Sequence, residues 1–141
     1  MHRVNWWAII VATIVYFIFG WLWYGVLFAS AWLAAIGKTE PPLMAGGGSI
    51  AFPYLVTLVL SFFLAYGLAR VLSWRENMNP LRGAFIGLSV GLLVFGTMTW
   101  MDYMYEMRGS ALALINIGYV VIGMGIQGLV LGAWRPRPLS S

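Results

Sequence analysis

The sequence predicts an all-α integral membrane protein, a four-helix bundle occupying residues 1–141 as a single membrane domain. Two observations lead there. The 141 residues are 62% hydrophobic and only 9% charged, which is too apolar for an ordinary soluble domain. The charges also fall unevenly, leaving four uncharged stretches: Val4 to Gly37 (34 residues), Pro41 to Ala69 (29), Gly83 to Met101 (19) and Gly109 to Trp134 (26). A hydrocarbon core about 30 Å thick needs roughly 20 apolar residues at about 1.5 Å each, so each stretch crosses once and none is long enough to cross twice.

The first helix is expected from Asn5, a capping residue, to Ile36, with Gly37 as terminator and Pro41-Pro42 barring continuation. Its outer end then projects beyond the bilayer. Gly46-Gly47-Gly48-Ser49 reads as a flexible connector into a second helix over residues 50–73, where Pro53 is tolerated because a first-turn donor is unpaired anyway. Asn77 to Pro80 forms the turn into a third helix over residues 82–104. Gly109-Ser110 opens the fourth, over residues 110–134, which stops before Pro136. Met1-His2-Arg3 and the apolar run up to Ala29-Ser30-Ala31 imitate a signal peptide. The run far exceeds the roughly 7 to 15 residues of a signal core, and bulky Trp21, Trp23 and Tyr24 crowd the supposed cut, so a retained helix is expected.

Arg3, Arg70, Arg75, Arg82, Arg135 and Arg137 fall on one side of these helices, against Lys38 and Arg108 on the other. The positive-inside rule then puts both termini in the cytoplasm of a multi-pass inner (plasma) membrane protein. Topology accounts for the arginines, and binding of anionic lipid headgroups is a second reading of them. The absence of cysteine removes disulfides, thiolate metal sites and cysteine nucleophiles. The single histidine, His2, stands at the start of the chain, away from any cavity, so neither a His-containing triad nor a His-rich metal site is expected. No metal or other cofactor is therefore expected. A net charge of +4 does not imply nucleic acid, because the basic residues flank apolar spans.

At about 100° per residue, the fourth helix presents Asn116, Tyr119, Gly123 and Gln127 on one side and Gly118, Gly125, Gly128 and Gly132 on the other. Small residues let helices approach closely in lipid and amides seek interhelical partners, so this helix belongs at the centre. Its polar stripe serves structural hydrogen bonding or lines a polar pocket. Gly83, Gly87 and Gly91 form a matching seam on the third helix. Asp102 follows Gly91 by eleven residues, about three turns, so it is expected along the same seam, with Glu106 one turn further out. Both acids lie at the outer boundary, either solvated or paired with Lys38 or Arg108. Met98, Met101, Met104 and Met107 recur every three residues and read as flexible core filler, spread too far around the helix to hold copper.

Phe17, Trp21, Tyr24, Phe28 and Trp32 share one face of the first helix, while Trp100, Tyr103 and Tyr105 end the third. With Tyr54 and Tyr119, they bring aromatics to the outer half from all four helices. An interfacial belt and bundle packing explain much of this. The sharper reading is an outward-facing cavity lined by Trp21, Tyr24, Phe28, Trp100, Asn116 and Tyr119, with Asp102 and Glu106 at its mouth, suited to an organic cation or amphiphile.

Asn5-Trp6, Gly20, Trp23-Tyr24-Gly25, Phe28, Trp32 and Gly37, followed by Asn116, Gly118-Tyr119 and Gly132-Ala133-Trp134, resemble the bacterial membrane family known as domain of unknown function 1761. The likeness covers nearly the whole chain. It implies a four-helix bacterial membrane protein and carries no activity with it. Other small four-helix families fail on residues. No acid in the first helix matches the proton-coupling glutamate of small multidrug transporters, and no internal arginine matches fluoride channels. The charged second-helix motif of glutathione-using membrane enzymes is also missing. The expectation is therefore a non-enzymatic structural or accessory protein, partnered by lipid and by a second copy or another membrane protein. The alternative is a binder or transporter of a small amphiphile or cation.

Overall fold

The computed structural model describes residues 3–40, 42 and 51–134. His2, Pro41, the Gly46 to Ser49 connector, Ile50, Arg135, Pro136 and Arg137 lie outside the described residues. All regular structure among those described is helical. The helices are α1 (Trp6–Leu22), α2 (Ala29–Ile36), α3 (Ala51–Ser73), α4 (Pro80–Val90), α5 (Thr97–Tyr105) and α6 (Ser110–Ala133). Four helical stretches are long and apolar enough to cross a membrane: Trp6–Leu27, Ala51–Ser73, Pro80–Tyr105 and Ser110–Ala133. This is a four-helix membrane protein.

Local chemistry sets the ends. The Asn5 carboxamide accepts from the Trp7 and Ala8 amides at 3.0 and 3.3 Å, which caps two otherwise orphaned donors. Asn79 does the same for Arg82 at 2.9 Å, with Pro80 in the first turn of α4. Gly37 closes α2 in the left-handed region at φ 72°, which costs glycine no Cβ strain. Inside the spans, hydroxyls bond back to their own helix: Thr13 to the Ile9 carbonyl, Thr57 to Pro53, Ser61 to Thr57 and Ser89 to Phe85. In hydrocarbon this satisfies a polar group without a partner helix.

Two of the four expected helices are not continuous α-helix. Residues Trp23–Leu27 form a π turn, closed by the Phe28 amide donating to the Trp23 carbonyl at 2.9 Å. Phe28 then leaves helical geometry at φ −122°, ψ 23°. The helix expected over 5–36 therefore ends its spanning part at Leu27, and α2 is a separate piece. Between α4 and α5, Gly91–Gly96 is a second π turn, with a glycine at each end. A π turn inserts about one extra residue, so every side chain beyond it is rotated relative to an unbroken α-helix.

The bundle is built around α6. It packs most extensively on α4, and also on α1, α3 and the second π turn, whereas α3 and α4 barely touch although only a short turn joins them. Helix α1 runs antiparallel to α6, with Trp134 near Asn5 (3.3 Å from the Asn5 amide to the Trp134 carbonyl), Gln127 near Ala12 and Ile115 near Trp23. Both ends of the described chain thus share one end of the bundle with the residue 74–79 turn. The buried core joins α1, α3 and α6 through Ala8, Ile9, Ala12, Ala65, Leu68, Leu72, Met124 and Leu131.

The α4–α6 contact is a backbone approach. A Cβ on Gly83 would collide with the Gly128 carbonyl oxygen, and one on Gly87 with the Met124 carbonyl oxygen; one on Gly91 would stand 2.9 Å from the Val121 Cα. Gly132 lies against the Asn79 carbonyl, and Gly125 lies under the Leu88 side chain. Gly118 departs from this seam. It faces the Trp23 ring on the first helix, 2.9 Å from where its Cβ would be.

Candidate functional site

Packing between α1 and α6 decides what the outer half of the bundle contains. The inward face of α1 runs Ala8, Ile9, Ala12, Thr13, Tyr16, and then Trp23 in the π turn. It is one residue out of phase with the expected aromatic face. Trp23 is only 8% exposed and its indole N–H donates to the Ile115 carbonyl at 3.0 Å, whereas Trp21 is 71% exposed and turns to the outside. The cause is the solvent. Lipid solvates an aromatic ring about as well as the bundle interior does, so ring size does not select the buried face, whereas Ala8, Ala12 and Thr13 let α6 approach on it.

Around Trp23 the rings form a closed cluster. Tyr119 lies 4.8 Å from Tyr16, 5.6 Å from Phe19 and 5.2 Å from Tyr24 by ring centroids, and its hydroxyl donates to the Tyr16 carbonyl at 3.1 Å. Trp23 packs on Phe28 at 4.4 Å, and Tyr24 meets Trp32 edge-on at 5.2 Å. Backbone comes right up to these rings. A Cβ at Gly20 would stand 2.6 Å from the Tyr119 hydroxyl, and one at Gly123 would stand 2.5 Å from the Tyr16 ring. The space between α1 and α6 is filled by the protein's own side chains.

A polar bridge crosses this cluster. The Tyr24 hydroxyl donates to Asn116 Oδ1 at 2.6 Å, and Asn116 Nδ2 donates to the Tyr103 hydroxyl. One amide thereby joins the first helix, α5 and α6. Lower in the membrane, the fully buried Gln127 donates to the Ala12 carbonyl at 3.4 Å, while its Oε1 finds no partner among the described residues.

Tyr103 occupies the place expected for Asp102. An unbroken α-helix would carry Asp102 back onto the Gly91 face after eleven residues, but the π turn at Gly91–Gly96 adds one residue to that interval. Tyr103 therefore points at α6 and Asp102 is exposed. Glu106 is also exposed and pairs with Arg108 at 2.7 Å, each side chain 52% exposed. The Arg108 guanidinium also sits 5.2 Å over the Tyr103 ring. Trp100, Met98, Met101, Met104 and Met107 are all exposed, so these methionines do not fill the core.

Of the residues expected to line a pocket, the structure brings together Tyr24, Phe28, Asn116 and Tyr119, and places Trp21, Trp100, Asp102 and Glu106 at the surface. Sequence reading missed Tyr16, Phe19, Trp23 and Tyr103 as members of the cluster. The stripe Ala8, Ala12, Thr13, Tyr16 and Gly20 was the available signal for the first three, since it continues to Trp23. Nothing in the residues announces the π turn that selects Tyr103.

The profile of a family described as protein of unknown function (DUF1761) matches residues 7–132. The chain belongs to this DUF1761 family. The matched region holds the four spans except Trp6 and Ala133, together with the whole ring cluster, so Tyr24, Asn116 and Tyr119 lie inside the family's domain. No curated protein and no solved structure matches the chain significantly.

Proposed function

We propose that this DUF1761 protein is a structural or accessory membrane protein, acting through the outer surface of its bundle and not through an enclosed site. The supporting observation is the contact of Tyr119, Trp23 and Tyr16 with the backbone of Gly20, Gly118 and Gly123, which leaves no room between α1 and α6 for a ligand. The carboxylates needed to attract a cation are exposed, and Glu106 is already paired with Arg108. We read its location as the inner (plasma) membrane with cytoplasmic termini. Arg3, Arg70, Arg75 and Arg82 lie at one end of the bundle, and Lys38 and Arg108 lie at the other.

Purified protein tests the ring cluster directly. Tetraphenylphosphonium, a hydrophobic cation, should show no saturable binding by calorimetry. Saturable binding lost in Asp102→Asn would establish the alternative, a cation binder. In cells, a photo-crosslinking residue scanned over outward positions such as Ile18, Leu60 and Leu93 should yield a discrete protein adduct from one face. Adducts to lipid alone from every face would defeat the accessory reading.

A further inference from the structure

We propose that the groove along the residue 74–79 turn and the first two turns of α4 is a binding site for the headgroup and upper acyl chain of an anionic phospholipid. Helices α3 and α4 diverge from the residue 74–79 turn, because α4 is drawn onto α6 by the glycine seam while α3 packs on α1. Beside that turn and the start of α4 runs a groove of about 550 Å³ at the membrane boundary, lined by Arg75, Glu76, Met78, Leu81, Arg82, Phe85 and Ile86. That volume falls in the range of roughly 300–1,000 Å³ typical of small-ligand sites.

The lining divides by chemistry along the groove. Arg75 and Glu76 stand in the turn, Leu81 and Arg82 in the first turn of α4, and Phe85 and Ile86 continue along α4 into the hydrocarbon. A molecule matching that order has an anionic group at one end and an alkyl chain at the other, as a phospholipid has. Arg82 is already held in place. Its guanidinium donates to the Asn77 carbonyl at 2.9 Å, in a turn where Asn77 takes φ 55°, and its remaining N–H groups are available to a phosphodiester. Arg75 forms no ion pair among the described residues. Two arginines against one glutamate leave the lining with one net positive charge, complementary to the single negative charge of phosphatidylglycerol.

Native mass spectrometry of the full chain in detergent, with added phosphatidylglycerol or phosphatidylcholine, reads this out. Wild-type protein should retain phosphatidylglycerol in preference to phosphatidylcholine, and Arg75→Gln/Arg82→Gln should reduce that retention about tenfold. Since removing positive charge can also disturb topology, Arg75→Lys/Arg82→Lys keeps the charge while removing the planar fork, and should weaken retention by a smaller factor. Ile86→Trp fills the apolar part without altering charge and should lower retention as well. Equal retention of the two lipids overturns the proposal, as does unchanged retention in Ile86→Trp. Millimolar inorganic phosphate should fail to displace the lipid. Displacement would show a site for free phosphate and would also overturn it.

Discussion

The Asn116 side chain ties three helical segments together, and the residue scale is where the π turns have their consequence. Because the extra residue at Gly91–Gly96 brings Tyr103 rather than Asp102 to Asn116, these adjacent residues should respond differently to substitution. Tyr103→Phe should lower the unfolding free energy by about 0.6–1.7 kcal/mol, the range for interhelical hydrogen bonds in membranes. Asp102→Asn, at an exposed site, should stay within about 0.5 kcal/mol of wild type. Reversible unfolding in mixed micelles measures both, and a larger effect at Asp102 would mean that α4 and α5 form one unbroken α-helix. Asn116→Leu should cost more than Tyr103→Phe, since it strands the hydroxyls of Tyr24 and Tyr103 together. Gln127 is the contrasting case. With Oε1 buried and lacking a partner among the described residues, Gln127→Met should be neutral or stabilising by about 1 kcal/mol, and a loss above that would reveal a bound water or partner on Oε1.

For elements, the governing fact is that in lipid the close approach of backbones replaces hydrophobic drive. Gly83→Ala should cost about 1–3 kcal/mol, because its Cβ meets a carbonyl of α6 that cannot move independently of its helix. Gly67→Ala on α3 should be neutral or stabilising by up to about 1 kcal/mol, since nothing stands near its Cβ. Thermal unfolding of the two variants in one detergent compares them, and equal losses would show that the α4–α6 approach is not limiting. The same contrast explains what the sequence makes legible. Gly83, Gly87 and Gly91 repeat at helical spacing, and Asn5, Gly37, Asn79 and Pro80 carry their capping chemistry in their side chains or their lack of one, so spans and ends can be read directly. The phase of a helix beyond Trp23 or Gly91 depends on whether a carbonyl accepts from the fifth or the fourth following amide. No residue type encodes that choice strongly, so the Asp102 position falls one residue out of register in the sequence.

At the scale of the whole molecule, the exposed surface of the spans is apolar. Ile14, Ile18, Leu60, Phe63 and Leu93 are all exposed, an exterior that water would not tolerate as one continuous surface. Exposed Trp6, Trp7, Trp74 and Trp134 gather at one end and Trp100 and Tyr105 at the other, which marks two interfacial levels about one span apart. The fold brings the residue 74–79 turn to the same end as Asn5 and Trp134, so topology reduces to which end faces the cytoplasm. The chain contains no cysteine, and single cysteines therefore report position without background. Four of the six described basic residues lie at the turn end, which is the ground for the proposal that this end faces the cytoplasm. In intact cells, Glu40→Cys, beyond α2, should react with a membrane-impermeant maleimide, and Glu76→Cys should react only after permeabilisation. Leu93→Cys, within the third span, should resist the reagent in both states because a thiol in hydrocarbon is not ionised. Labelling of Glu40→Cys and Glu76→Cys from the same side would show that α3 does not cross the membrane, and the opposite order of protection would invert the orientation while leaving the bundle intact.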